Sequence, residues 1–304
     1  MAKEHRLFRF FLSSVFVFLL AAGYVLTSAN AATAEKLMNA PKVTKTPTPS
    51  ESEQVQISAA LSAINKAQKA KGCNFNLTAE EVATSAGKCT VLVVGDSLGN
   101  NLAYGMQRQL QKTAGIDLVI KSKSSTGLSN SWFYNWPKEI KPFIDDADPD
   151  LVIVMLGTND HQNMKINGQV SEFGSKKWNA KYEAEAAKLI SQSIDSGAYV
   201  VWVGLPIMQS SYFASYMSVL NDRSSSAVEA TDGATFIPTW DLMADSRGKY
   251  RDWAKVNGKN QKIRGTDGIH FTWVGQNVLA TYVISELQDI FNVKVKSKGQ
   301  MLFN

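Results

Sequence analysis

The chain has 304 residues, with 32 Lys and Arg against 27 Asp and Glu, a formal charge of +5 and 44% hydrophobic residues. So mild a basic excess, with no aromatics interleaved in Lys-rich stretches such as Lys294 to Lys298, argues against nucleic acid as a partner. The two cysteines and three histidines lack ligand spacing, so neither a metal nor another cofactor is expected.

In chain order, Arg6 and Arg9 precede an apolar run from Phe10 to Leu26 and the small residues Ser28-Ala29-Asn30-Ala31-Ala32. That order predicts an export signal over residues 1–31, cleaved after the Ala29/Ala31 pair; its length also suits an uncleaved anchor that tethers the chain to a membrane. Cleavage removes three cations and one anion (Lys3, Arg6, Arg9 and Glu4) and leaves +3. The protein is expected to be exported, in the periplasm or elsewhere in the cell envelope. Residues 32–54, with Thr46-Pro47-Thr48-Pro49-Ser50, have linker composition. Residues 55–89 form a short helical extension, with apolar positions at Ile57, Leu61 and Ile64. Cys73 and Cys89, an even count in an exported chain, predict a disulfide.

From residue 90 to the C-terminus, short apolar runs alternate with amphipathic stretches, which predicts one α/β domain with a parallel sheet between helices. The expected strands are Thr90 to Gly95, Ile116 to Lys121, Leu151 to Leu156, Tyr199 to Gly204 and Thr235 to Pro238. The expected helices are Leu98 to Lys112, Trp136 to Asp145, Lys177 to Ser196, Ser210 to Ala230 and Thr272 to Phe291. The Lys-, Arg- and Gly-rich stretch from Asp245 to Gly265 reads as a flexible loop over the site.

In such a sheet a ligand site forms beyond the carboxyl ends of the strands. Ser97 follows the first strand there, Gly127 lies after the second, Asn159 after the third, and Asp267 and His270 before the last helix. A serine hydroxyl becomes a nucleophile when an imidazole accepts its proton and a carboxylate orients that imidazole. Ser97, His270 and Asp267 supply those three groups. The backbone N–H groups of Ser97 and Gly127 and the amide of Asn159 are candidate oxyanion donors, each worth about 3 to 4 kcal/mol of barrier. Gly127 could equally serve a positive φ angle. Asp96, His161, Gln162 and Arg264 are read as substrate contacts. The aromatics Trp132, Phe133, Tyr134 and Trp136 suit a packed loop base better than a sugar-stacking wall. Gly95-x-Ser97-x-Gly99 also fits the nucleophile elbow of α/β-hydrolases, but Ser97 follows the first strand and Asp267 is only three residues from His270, which is the wrong order for that fold.

These blocks, Gly95-Asp96-Ser97-Leu98, Gly127, Gly157-Thr158-Asn159-Asp160 and Asp267-Gly268-Ile269-His270, resemble those of the SGNH hydrolases, the GDSL esterase and lipase superfamily, over about Thr90 to Phe291. The resemblance implies a flavodoxin-like three-layer α/β/α sandwich with a five-stranded parallel sheet, and metal-free ester chemistry through an acyl-enzyme. The stretches Phe173-Gly174-Ser175 and Gly265 to Thr272 are similar to a bacterial envelope branch of that superfamily. That likeness implies removal or transfer of a small acyl group on an acylated carbohydrate or another small ester. The competing expectation is an inactive glycan-binding or scaffold protein that keeps the fold.

Overall fold

A computed structural model describes residues 73, 89–111 and 115–291. The expected export signal, the expected linker and all of the expected helical extension except its two cysteines lie outside the described residues, as does the Lys-rich C-terminal end. Among the described residues no helix is long and apolar enough to cross a membrane. Cys73 and Cys89 are joined in a disulfide that ties residue 73 to the start of the first strand.

The elements run β1 (Cys89–Gly95), α1 (Ser97–Leu110), β2 (Ile116–Ser122), α2 (Trp136–Ala147), β3 (Leu151–Met155), β4 (Met164–Ile166), β5 (Gln169–Ser171), α3 (Lys176–Asp195), β6 (Tyr199–Val203), α4 (Ser211–Glu229) and β7 (Ala234–Ile237). A 3₁₀ turn (Asp241–Met243), β8 (Trp253–Val256), β9 (Lys259–Lys262) and α5 (Trp273–Ile290) follow. Five strands form one parallel sheet in the order β2-β1-β3-β6-β7, the flavodoxin-like arrangement. Every residue of β3 is buried, as a central strand covered on both faces requires, whereas the edge strand β2 is only half-buried. Because such crossovers are right-handed, α1, which leads outward to β2, lies on the face opposite α2, α3 and α4, which lead the chain the other way. Helix α5 packs beside α1.

The chain leaves β1 and β3 in opposite directions, so the carboxyl ends of these two neighbours form the crevice where such folds bind ligands. Ser97 follows β1, and the Gly157 to Asp160 turn follows β3. Two hairpins depart from the sequence expectation. β4 pairs with β5, and β8 pairs with β9 inside the stretch from Asp245 to Gly265 expected to be a loop. Each turns on an Asn-Gly pair, Asn167-Gly168 and Asn257-Gly258, with φ of 51° and 81° and of 52° and 76°. Positive φ at both positions is what the tight hairpin turn demands and what Asn-Gly tolerates.

Candidate active site

Helix α1 starts at Ser97 because Asp96 caps it: Asp96 Oδ1 accepts the Leu98 N–H at 2.9 Å. The same buried carboxylate reaches across to β3, where Oδ2 accepts the N–H groups of Gly157 at 3.1 Å and Thr158 at 2.8 Å. Burial pushes Asp96 up to about 6 against the lowering pull of those three amides, and neighbouring Asp160 adds to the rise. Asp96 is 0% exposed, so the expectation that it touches substrate is corrected: it clamps the Ser97 turn to the end of β3.

Asp267 and His270, the expected orienting acid and base, sit in one short turn. Gly268 takes φ of 68°, and Asp267 Oδ1 accepts the N–H groups of Ile269 at 2.9 Å and His270 at 3.0 Å. That fold-back leaves Oδ2 facing the ring, 2.6 Å from His270 Nδ1. Partial burial pushes the Asp267 carboxyl up, but the hydrogen bond from the His270 ring, the two amides and the nearby imidazole outweigh it and hold the group at about 2. With Nδ1–H donated to Asp267, Nε2 presents its lone pair to the Ser97 hydroxyl, 2.8 Å away across 173 residues of sequence. The site is open: His270 and Asp267 side chains keep 41% and 47% of their exposure.

Arg264 is also corrected. It is 0% exposed, and its guanidinium donates to the carbonyls of Ile207 and Ile269, both at 2.8 Å, between the rings of Tyr250 and Phe271. Burial pushes it down to about 10, so it stays cationic at neutral pH. Its work is to brace the turn that carries Asp267 and His270, a role confined to the protein interior.

Asn159 donates one amide hydrogen to the Thr126 carbonyl at 2.8 Å, and its other amide hydrogen has no hydrogen-bond partner among the described residues. Gly127 follows Thr126, and neither its N–H nor that of Ser97 has a hydrogen-bond partner among the described residues. Gly127 is a glycine for want of space: a Cβ there would lie 2.1 Å from Asp160 Oδ1, while it is Ser125 that takes positive φ, at 62°. Asp160, fully buried and raised by that burial, accepts from Leu128 N and Ser129 N at 2.8 Å and from Ser129 Oγ at 2.6 Å. It therefore holds the Gly127 loop against the Asn159 turn. Sequence reading passed over it, although its place beside Asn159 in Gly-Thr-Asn-Asp was the available signal.

Gln162 spends its amide hydrogens on the Asn159 carbonyl at 2.9 Å and Ser129 Oγ at 3.3 Å, which makes it a brace of the same turn. His161 is exposed, its ring edge-on to Phe213 at 4.8 Å. The four loop aromatics divide. Trp136 is buried and donates to Thr126 Oγ1 with Tyr134 against it, while Trp132 is 84% exposed and Phe133 51%.

Residues 90–286 match the model of a family described as "Protein of unknown function (DUF459)". Among solved structures the chain is similar to the psychrotrophic esterase EstA from Pseudoalteromonas sp. (TM-score 0.46, 16% identity, 67% of this chain and 98% of that one). It is also similar to a GDSL-like lipase from Bacteroides thetaiotaomicron (0.46, 16%, 66% and 88%). An acetylxylan esterase from Geobacillus stearothermophilus gives 0.46, 15%, 66% and 95%. No curated protein matches. Its sheet order is the flavodoxin-like one, and its four sequence blocks resemble those of the SGNH hydrolases.

Proposed function

Because this chain belongs to the family described as "Protein of unknown function (DUF459)", we propose from its site that it is a serine-dependent carboxylic ester hydrolase working through an acyl-enzyme. One observation carries the reading: the unbroken relay from Ser97 Oγ to His270 Nε2 at 2.8 Å and from His270 Nδ1 to Asp267 at 2.6 Å. Ser97 Oγ attacks the ester carbonyl carbon as its proton passes to His270 Nε2, and Asp267 stabilises the imidazolium. The carbonyl oxygen gathers negative charge against the N–H groups of Ser97 and Gly127 and the amide of Asn159. His270 then gives its proton to the leaving alcohol oxygen as the carbon–oxygen bond breaks, leaving an ester on Ser97. Water attacks that ester, its proton passes to His270 and then to Ser97 Oγ, and the carboxylic acid leaves. A sugar hydroxyl in place of water would make the same cycle an acyl transfer.

The substrate belongs to the same proposal: a small acyl group, such as acetyl, on an acylated carbohydrate of the cell envelope. The open acid–base turn, which leaves room for a bulky alcohol, supports it, as does the export signal expected from the sequence. Hydrolysis of 4-nitrophenyl acetate and labelling by a fluorophosphonate test the reaction. Both are expected in the full chain and lost in Ser97→Ala; undiminished turnover in that variant overturns the assignment. A wild-type chain that neither turns over the ester nor forms the adduct would leave the glycan-binding alternative.

A further inference from the structure

Two neighbouring segments build a surface of aromatic rings beside the acid–base turn. The chain entering α4 is fastened to that turn: Gln209 N–H donates to the Gly268 carbonyl at 3.2 Å, and the Ile207 carbonyl accepts from Arg264 at 2.8 Å. Three and four residues past Gln209, Tyr212 and Phe213 lie in the first turn of α4, and Tyr216 follows one turn later. His161, two residues past Asn159, lies 4.8 Å from the Phe213 ring and 5.6 Å from the Tyr216 ring. Tyr212 stands edge-on to Tyr216 at 4.8 Å, and the two hydroxyls are hydrogen-bonded to each other. The rings thus join the chain just past Asn159 to the segment fastened to the Gly268 turn.

We propose that His161, Tyr212, Phe213 and Tyr216 form a subsite for a neutral sugar ring of the substrate, adjoining the residue that bears the ester. The proposal rests on the ester-hydrolase reading and names the substrate class. An acyl chain needs enclosure on most sides. Tyr212 is 72% exposed and encloses nothing. A sugar asks for what this surface offers: flat apolar faces for its C–H side, and polar tips at the wet margin for its hydroxyls. Those tips are two hydroxyls and an imidazole, which suit a neutral glycan.

The test compares Tyr212→Ala and Tyr212→Phe with wild type in the full chain, on O-acetylated cellotetraose and on 4-nitrophenyl acetate. Tyr212 lies largely in water, so its replacement leaves the core intact. Losing one stacking ring predicts a fall of about five- to tenfold in the ratio of kcat/KM for the tetrasaccharide over the aryl ester, carried by KM, with Tyr212→Phe recovering most of it. An unchanged ratio overturns the subsite. So does a Tyr212→Ala variant whose preference shifts from acetyl to octanoyl aryl esters, which would make the surface an acyl wall. Saturation-transfer NMR with unacetylated cellotetraose separates the two readings. Binding by wild type that Tyr212→Ala abolishes supports the subsite even if no ester is turned over, whereas turnover of the aryl ester with no saturation transfer to cellotetraose overturns the subsite alone.

Discussion

Replacing Gly127 by Ala tests how the oxyanion loop is held. The new Cβ would fall 2.1 Å from Asp160 Oδ1 and 2.5 Å from its Cγ, so one side must retreat by at least about 0.9 Å to reach the 3.0 Å that real contacts keep. Asp160 cannot yield cheaply, because it is fully buried and accepts from Leu128 N, Ser129 N and Ser129 Oγ. A buried charge that loses such partners costs about 1 to 3 kcal/mol apiece. The Gly127 backbone is the softer side, and its N–H therefore leaves the position from which it would meet the developing oxyanion. A misplacement of about 1 Å is worth on the order of a hundredfold in rate, or about 2.7 kcal/mol of barrier. The expected result is a kcat for 4-nitrophenyl acetate lowered by about two orders of magnitude in a folded protein, with a melting temperature a few degrees lower. A variant with wild-type kcat and an unchanged melt would refute both the clearance argument and the role of Gly127 as a donor.

Two further outcomes follow from buried groups and from the cross-link. Asp96 sits near 6 in the folded chain against 3.8 ordinarily, so folding favours its protonated form. Its contribution to stability is therefore full below about pH 4 and fades as pH rises through 6. Urea midpoints at pH 4.5 and 7 should show a gap between wild type and Asp96→Asn that changes between the two; a constant gap would contradict the burial argument. The Cys73–Cys89 disulfide closes a separation of 16 residues, worth about 3 kcal/mol on the chain-entropy estimate. Adding dithiothreitol should lower the urea midpoint of wild type and leave that of Cys73→Ser unmoved, and equal midpoints with and without reductant in wild type would count against it.

Local patterning made most of the fold legible. Uniformly apolar runs such as Leu151–Met155 announce a central strand, and the helix starts at Asp96, Ser175, Ser210 and Thr272 carry capping side chains. The two hairpins escaped because their strands of three and four residues are too short for a period to register, although Asn167-Gly168 and Asn257-Gly258 were visible turn signals. The Asp267–His270 contact was legible for a similar reason: with two residues between them, one left-handed glycine brings carboxylate and ring together.

What the amino-acid order settled by itself is therefore the order of the five sheet strands and the five helices and the Asp267–His270 turn, which arise from neighbours a few bonds apart. Tertiary structure alone decided that Ser97 meets His270 across 173 residues, and that Asp96, Asp160 and Arg264 point inward. A charged residue in a loop looks the same in sequence whether it faces water or packing from a distant element. Its fate depends on desolvation and on hydrogen-bond partners that only the assembled sheet and helices supply.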